Sequence, residues 1–196
     1  MKKHFFLFAV PAVVFFSSCN KKEVELPSSP AEMNYVNLND RVVAYQQPSV
    51  ILDIDNDNEN DLGFGVLLVG DPILEQDKRQ FRVSSGIHTR LAVNAIEETP
   101  VTGNGETVFL SSFNGYNWYE VSSIILVQRI EGMYGPIFWT GNWKTADRKY
   151  LPFQLVKNNL RYNGWVELTV DIAQEKIILH KAAYSKLPEK NIRAGY

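Results

Sequence analysis

The chain has 196 residues, with 20 lysines and arginines against 22 aspartates and glutamates, which gives a formal net charge of −2 at pH 7. A nucleic-acid-binding domain needs a basic surface, so this charge balance excludes nucleic acid as a partner. Hydrophobic residues make up 45% of the chain and aromatic residues 12%, which is enough for the core of one domain. Cys19 is the only cysteine, so no internal disulfide can form and the core must hold the fold.

Residues 1–18 have the layout of a signal peptide, with a basic start and an apolar run from Phe5 to Phe16. The run is shorter than the ~18–20 apolar residues that span a bilayer. It ends in Phe16-Ser17-Ser18-Cys19, which resembles the lipobox of bacterial lipoproteins. The resemblance implies cleavage before Cys19 and lipidation of this cysteine. Two or three acyl chains, at ~0.8 kcal/mol for each buried CH₂, then anchor the protein durably in a membrane.

Asn20 favours the outer membrane, because lipoproteins retained in the inner membrane usually carry aspartate at this position. The alternative is an ordinary secreted protein with a stray cysteine near its start. Removal of residues 1–18 takes away Lys2 and Lys3 but no acid, so the formal net charge changes from −2 to −4.

The segment that follows the signal peptide has the composition of a linker. Residues 19–33 contain Pro27-Ser28-Ser29-Pro30 and few side chains that a core can bury. Such a segment stays extended and lifts the following domain off the membrane surface. We therefore expect the lipidated cysteine and a flexible linker at 19–33, followed by a single domain at 34–196.

Beyond the linker, short runs rich in β-branched and aromatic residues alternate with turn residues almost throughout. We predict strands at Arg41–Tyr45, Ser49–Ile54, Gly63–Val69, Gln80–Ser84, Thr89–Val93, Thr107–Leu110, Ile124–Val127, Tyr150–Val156, Gly164–Asp171 and Lys176–His180. Residues 72–78 have room for one helical turn, and Pro152 places part of its strand at a sheet edge. Strands spaced by about 8–12 residues are typical of sandwiches and barrels, and we predict an all-β, antiparallel, jelly-roll-like β-sandwich.

An acidic loop follows the second predicted strand. Asp53, Asp55, Asp57 and Asp61 fall at positions 1, 3, 5 and 9 of a calcium loop, and Glu59 at position 7 offers its backbone carbonyl. Alternate oxygen ligands on a curled loop can converge on Ca²⁺. We therefore predict that these five residues bind calcium and that the ion has a structural role.

The acidic loop departs from a complete calcium loop at two positions. Position 6 is Asn58 instead of glycine, and asparagine tolerates the positive φ that the turn requires. Position 12 is Phe64 instead of glutamate, so a further carboxylate is needed, for which Asp71 and Asp77 are candidates. The alternative is a solvated hairpin loop, in which lysine or arginine side chains offset the repulsion between the carboxylates.

The acidic loop and the C-terminal part of the chain also resemble a known family. Ile51–Asp57, Asp61–Phe64 and the Gly-Trp-Val strand Tyr162–Leu168 resemble segments of secreted Bacteroidetes β-sandwich lipoproteins. Ala183-Tyr184 and the ending Ile192–Gly195 extend the resemblance over roughly residues 50 to 196. It implies an extracellular β-sandwich that is related to no known enzyme. The glycine usual in the acidic loop of the family is missing here.

Aromatic residues cluster in a stretch between residues 113 and 150 that is rich in glycine and asparagine. Aromatic rings on irregular loops can stack on sugars or anchor a protein partner. The candidate ligand-binding residues are Tyr116, Trp118, Tyr134, Trp139 and Trp143. The alternative is that these side chains close one end of the core.

The sequence has no recognisable catalytic motif. It lacks a Gly-x-Ser-x-Gly elbow and a His-x-x-x-His pair, and its mature part has only His88 and His180. Glycosidases use two carboxylates about 5–9.5 Å apart. Glu167 and Asp171 share one strand face but are roughly 13 Å apart along an extended strand. A glycan hydrolase is therefore the least favoured interpretation.

Together these patterns predict a non-catalytic lipoprotein of the outer membrane, on its periplasmic or its cell-surface face. We expect a calcium-stabilised β-sandwich that serves envelope structure or binds an envelope protein. The alternative is a carbohydrate-binding module that holds a polysaccharide with the loop aromatics.

Overall fold

A computed structural model describes residues 32–196 of the chain. The predicted signal peptide, Cys19 and most of the predicted linker lie outside the described residues. Within 32–196 the structure contains thirteen β-strands and no helix. The strands are β1 (Met33–Ala44), β2 (Val50–Leu52), β3 (Leu62–Asp71), β4 (Gln76–Ser85), β5 (Thr89–Val93), β6 (Thr107–Val108), β7 (Asn117–Glu120), β8 (Ser123–Gly132), β9 (Phe138–Thr140), β10 (Lys149–Lys157), β11 (Leu160–Asp171), β12 (Lys176–Ser185) and β13 (Ile192–Arg193). A membrane-spanning helix is accordingly not found in this part of the chain.

The strands form two large antiparallel sheets that pack face to face, so the prediction of an all-β antiparallel β-sandwich is confirmed. The six-stranded sheet has the order β1-β12-β11-β10-β5-β7, and the five-stranded sheet has the order β2-β3-β4-β8-β9. A third, two-stranded sheet pairs β13 with β6. The chain passes between the two large sheets after β1, β4, β7 and β9.

Strand β11 shows why these sequences form a sandwich. Val166, Leu168 and Val170 face the core that the two large sheets share. Glu167 and Thr169 alternate with them and therefore face the outer side of the six-stranded sheet. Each large apolar side chain that such a pattern buries contributes ~1.5–3 kcal/mol relative to an exposed one. The alternation fixes the register, because a slip by one residue would turn every core side chain outward.

The helical turn considered for residues 72–78 is absent, and the segment forms a β-hairpin turn. Strand β3 ends at Asp71 and β4 begins at Gln76. Asp71 Oδ1 accepts a hydrogen bond from the Leu74 N–H (3.1 Å), and Glu75 closes the turn with a φ of 50°. The pairing of β3 with β4 therefore continues to the last residue of each strand.

Pro152 lies inside the six-stranded sheet, so its predicted place at a sheet edge is wrong. Strand β10 pairs along its whole length with β11, but its pairing with β5 begins only at Phe153. Tyr150 hydrogen-bonds to Thr102 on the β5 side of β10. Because residues two apart on a strand point their backbone groups to the same side, Pro152 faces the gap between Thr102 and β5. Its missing N–H therefore costs no ladder hydrogen bond.

A second apolar cluster lies on the outer face of the six-stranded sheet, under the segments that contain β6 and β13. Its buried members are Met33, Val108, Tyr150, Trp165, Ala183, Ile192 and Ala194. A buried amide joins these covering segments to the sheet: Asn163 Nδ2 donates to the carbonyls of Val108 (3.1 Å) and Lys190 (2.9 Å). Asn163 Oδ1 accepts from Gln154 Nε2 at 2.9 Å, so the amide has three protein partners.

The sandwich has two ends that carry different loops. Met33 pairs with Ser185, and Tyr184 pairs with Gly164, so the start of β1 lies at the same end as the β10–β11 turn. The loop 53–61 lies at this end, which we call the acidic end. The opposite end, which we call the hairpin end, carries the β3–β4, β8–β9 and β11–β12 turns.

Candidate functional site

The loop between β2 and β3 brings together three of the five predicted metal ligands. One carboxylate oxygen each from Asp53, Asp55 and Asp61 lies within 4.8 Å of the other two. The loop curls because Asn56 and Asn58 adopt φ values of 58° and 70°. Asn58 therefore has the left-handed conformation expected at position 6 of the calcium-loop pattern.

Two of the three carboxylates also fix the backbone around them. Asp53 accepts hydrogen bonds from two N–H groups of its own loop, at 3.2 and 3.0 Å. Asp61 is buried and accepts from the Ile54 N–H (2.6 Å) and from Thr89 Oγ1 (3.1 Å). Because Thr89 begins β5, the second bond connects the acidic loop to the other sheet. Both carboxylates are thus held in place without a bound ion.

Asp55 differs from them because one of its oxygens has no partner. Its side chain is only 1% exposed and forms an ion pair with Lys157 at the end of β10. The other oxygen, Oδ1, is buried and accepts no hydrogen bond within the described chain. A buried polar group without a partner costs about 1–3 kcal/mol, and a charged one costs more. A cation beside Oδ1 would remove that cost.

Lys157 offsets part of the negative charge of the loop, as the solvated-loop alternative requires. Its Nζ also lies 5.9 Å and 5.3 Å from the ring centroids of Tyr162 and Tyr184. Burial lowers the pKa of Lys157, but the hydrogen bond and the charge of Asp55 raise it more, so the net direction is upward. One ammonium against three carboxylates leaves an excess of negative charge, which suits a hard divalent cation.

Burial is the main cause that raises the pKa of Asp61, to about 6. The hydrogen bond from the Ile54 N–H lowers it, whereas the negative charges of Asp55 and Asp57 raise it further. The cost of ionising Asp61 in the folded protein therefore comes mainly from burial and in smaller part from the charges of Asp55 and Asp57, and a bound cation would reduce it.

We expect Asp61 to make the chelator-treated protein less stable as the pH rises. The carboxyl loses its proton near pH 3.8 when unfolded and near pH 6 when folded. Between these values only the folded state holds the proton, so each rise in pH favours unfolding until both states are ionised. The difference between the two pKa values corresponds to a loss of ~3 kcal/mol in the free energy of unfolding. Urea unfolding in chelator at several pH values would measure it, with Asp61→Asn as reference. Equal pH dependence in both proteins would contradict the expectation.

The other predicted ligands do not join the group of three. Asp57 Oδ1 accepts from the Glu59 N–H (2.8 Å), and the Glu59 carboxylate faces His88 at 3.8 Å. Both acids line the same cavity of about 430 Å³ as Asp55 and Asp61, but at its exposed rim. The proposal of Asp71 or Asp77 as the missing carboxylate is wrong, because both lie at the hairpin end.

The predicted aromatic platform is not formed, and Trp143 is the clearest correction. Its side chain is fully buried, and its Nε1 donates to Thr99 Oγ1 at 2.9 Å. The prediction that Trp143 stacks on a ligand is therefore wrong, since its ring packs in the core. Trp139 is half-buried against Phe81, with ring centroids 5.7 Å apart. These two residues follow the alternative expectation that the aromatics close the core.

The remaining three aromatic residues lie in two separate places. Tyr116 and Trp118 are half-buried and pack against Phe113, with centroid distances of 5.6 and 6.2 Å. Tyr134 is 85% exposed in the β8–β9 turn at the hairpin end. No single sugar can contact rings that are distributed in this way, so the region between residues 113 and 150 does not form one binding face.

An exposed apolar surface at the hairpin end combines two of the turns there. The β3–β4 and β8–β9 turns are joined by a hydrogen bond from the Met133 N–H to the Glu75 carbonyl (3.0 Å). Six large apolar side chains in these turns or at the first residue of β9 are exposed, and Ile73 reaches 90%. We call this surface the apolar tip, and it consists of Ile73, Leu74, Met133, Tyr134, Ile137 and Phe138. A group of exposed apolar side chains at adjoining turns often marks an interaction site.

A polar groove of about 440 Å³ lies on the outer face of the six-stranded sheet, and the sequence did not predict it. It is lined by Tyr35, Val36, Asn37, Asp40, Arg148, Glu167, His180 and Lys181. These residues come from β1, β11, β12 and the loop before β10, and no spacing in the chain connects them. The one signal was Glu167, a charged residue within an otherwise apolar stretch of β11.

Comparisons with protein-family models, with curated proteins and with solved structures found no match to this chain. The functional argument therefore depends on the geometry of the acidic loop, the apolar tip and the groove.

Proposed function

We propose that this protein is an outer-membrane lipoprotein, anchored through Cys19, whose calcium-stabilised β-sandwich binds an envelope protein. The observation that carries the proposal is the apolar tip. It exposes six large apolar side chains at the end of the sandwich that lies opposite the start of β1. Single exposed apolar residues are normal on a monomer, but a group of six at adjoining turns is typical of a binding surface.

The position of β1 supports the direction of binding. Strand β1 begins with Met33 at the acidic end, and only residues 20–31 separate Cys19 from the described chain. These residues span at most ~40 Å when fully extended. A lipid on Cys19 would hold the acidic end nearer to the membrane, and the apolar tip would be presented to a partner farther away.

The charges around the apolar tip favour a protein over a lipid surface. Glu75, Asp77 and Glu131 are exposed beside it. The nearest basic groups are already engaged. Lys78 pairs with Asp71, Arg79 pairs with Glu175, and Arg129 pairs with both Glu175 and Glu131. An acidic rim repels anionic headgroups, whereas an apolar centre within a polar rim is the usual anatomy of a protein interface. The partner we propose therefore carries an apolar protrusion flanked by lysine or arginine.

Calcium has a supporting role in this proposal. Asp53, Asp55 and Asp61 converge, and the Oδ1 atom of Asp55 lacks a protein partner. Carboxylate oxygens are the ligands that Ca²⁺ prefers, and millimolar extracellular calcium fills even weak sites. The ion would bridge the β2–β3 loop to the β10–β11 turn through Asp55, whose other oxygen contacts Lys157.

A cross-linking experiment tests the binding role. A photo-reactive amino acid replaces Ile73 in the full-length chain expressed in its host. In a control variant the same amino acid replaces Ile87, which is 71% exposed at the acidic end. We expect one protein to be captured from Ile73 and not from Ile87. Purified partner should then bind the Ile73→Asp variant about 10-fold or more weakly, a loss of ~1.4 kcal/mol, but Ile87→Asp normally.

Charge reversal and the anchor complete the test. Glu75→Lys is expected to weaken the complex, because a basic partner loses an attractive contact. The Cys19→Ser protein is expected in the soluble fraction instead of the membrane fraction. Identical adducts from Ile73 and Ile87, or no protein adduct from Ile73, would refute the binding role. A Cys19→Ser protein that stays in the membrane would refute the anchor independently.

A further inference from the structure

The polar groove on the outer face contains a buried carboxylate that the fold does not fully satisfy. Glu167 is 4% exposed, and its Oε1 accepts a hydrogen bond from Arg148 Nη1 at 3.1 Å. Its Oε2 is also buried and accepts no hydrogen bond, although Lys181 Nζ lies 3.6 Å away. Native proteins rarely leave a buried carboxylate oxygen in this state. Glu167 lines the groove, so a ligand that reached Oε2 and donated a hydrogen bond there would be stabilised.

The charges of the groove favour a neutral ligand. Arg148 and Lys181 contribute positive charge, and Glu167 and Asp40 contribute negative charge in equal number. A cation or an anion would therefore meet two like charges as well as two opposite ones. A hydroxyl group is both a donor and an acceptor. It matches the pair formed by Glu167 Oε2, which accepts, and Lys181 Nζ, which donates, 3.6 Å apart.

An aromatic face stands beside this pair. Tyr35 is 61% exposed on β1, and its ring packs edge-on against the buried Trp165, with centroids 6.3 Å apart at 64°. Lys181 Nζ lies 5.4 Å from the Trp165 ring centroid, so the ammonium and the Tyr35 ring are held by the same residue. A rigid exposed ring next to hydroxyl-binding groups matches a ligand that has an apolar CH face and polar edges.

Three residues at or beside the groove form a hydrogen-bonded chain. His180 contacts Asp40 Oδ1 through Nδ1 (2.5 Å) and Thr169 Oγ1 through Nε2 (2.9 Å). Asp40 reaches His180 because β1 bulges between Asn37 and Arg41. A site whose walls are held before a ligand arrives loses less conformational entropy on binding.

We propose that this groove binds a neutral saccharide, with Tyr35 stacking on the sugar ring and Glu167 and Lys181 sharing one of its hydroxyl groups. The site lies on the sheet face, apart from the apolar tip at the hairpin end, so the inference does not depend on the proposed protein partner. It also differs from the aromatic stretch between residues 113 and 150, because Arg148 is the one residue of that stretch that lines the groove.

The test uses the mature protein and a glycan array that carries neutral and uronic-acid oligosaccharides of glucose, galactose, mannose and N-acetylglucosamine. Saturation-transfer NMR with each soluble oligosaccharide then gives its affinity. We expect at least one neutral oligosaccharide to bind more tightly than about 10 mM. Tyr35→Ala and Glu167→Gln should each weaken it about 10-fold or more. Tyr119→Ala, which removes an exposed tyrosine on β7 at the other edge of the same sheet, should not.

Several outcomes would overturn the inference. The inference is wrong if no neutral glycan binds with a Kd below about 10 mM. It is also wrong if the protein clearly prefers uronic acids, or if both groove variants still bind the glycan. Because Tyr35 is exposed, its alanine variant is expected to fold, and thermal unfolding checks this for both variants. A groove variant that folds and keeps full affinity counts against the site even if Glu167→Gln is unstable.

Discussion

Calcium at millimolar concentration is expected to raise the melting temperature of this protein by about 5–11 °C over its value in chelator. A ligand at 100 times its Kd stabilises the folded state by ~2.7 kcal/mol. Each kcal/mol raises the melting temperature of a domain of this size by about 2–4 °C. The stabilisation comes from neutralising three converging carboxylates, of which Asp55 presents a buried oxygen without a partner. Differential scanning calorimetry in chelator and in excess Ca²⁺ measures the shift.

The Asp55→Asn variant separates calcium binding from general stabilisation by salt. We expect it to lose most of the calcium-dependent shift, because a ligand charge is removed at the most enclosed position. Asp77→Asn removes one exposed acid at the hairpin end and should keep the full shift. A calcium effect of the same size in all three proteins, or none in the wild type, would contradict a specific site in the acidic loop.

Replacement of Asn163 by alanine is expected to lower the free energy of unfolding by about 3–5 kcal/mol. The buried amide donates to the carbonyls of Val108 and Lys190 and accepts from Gln154. Its removal leaves the two carbonyls without this donor, and each buried unsatisfied group costs about 1–3 kcal/mol. Gln154 Nε2 keeps its hydrogen bond to the Leu110 carbonyl. Urea denaturation gives the loss, and Asn117→Ala, at an exposed position of β7, is the control.

Hydrogen exchange distinguishes this role of Asn163 from a simple loss of packing. The covering segment is held by the hydrogen bond from the Ala194 N–H to the Glu106 carbonyl (2.9 Å). In Asn163→Ala we expect the Ala194 amide to exchange faster through local opening. The exchange of amides in the centre of β4 should change only by as much as the global free energy of unfolding changes. Uniform acceleration over the whole domain would argue that Asn163 does not hold the covering segments.

The sandwich could be predicted because its strands carry a local signal. In β11 every second residue is apolar, namely Val166, Leu168 and Val170. That alternation alone predicts a strand and the face of it that packs in the core. The turn at residues 172–175 contains Gln174 and Glu175, and it separates the apolar positions of β11 from those of β12. Trp143 shows the limit of such reasoning, because its sequence neighbours resemble a loop, whereas its ring is buried through contacts distant in the chain.

The sites could be predicted only where one segment contains them. The acidic loop was recognisable because Asp53, Asp55 and Asp61 lie within nine residues. The partner of Asp55 was not, since Lys157 is about a hundred residues away in sequence and meets it only through the β10–β11 turn. The groove depends on a bulge in β1 and on a register shift beside Glu167, which depend on pairings between strands and leave no periodic trace in the sequence.

The edge position of β1 has a mechanical consequence. Tension between a lipid at the acidic end and a protein at the hairpin end would act along the strand axes, whereas the hydrogen bonds between β1 and β12 run across them. The ladder would therefore resist in shear, with many bonds loaded at once, instead of opening one pair at a time. The register shift between Asn37 and Arg41 divides that ladder into two blocks, so the block nearest the lipid would yield first under force.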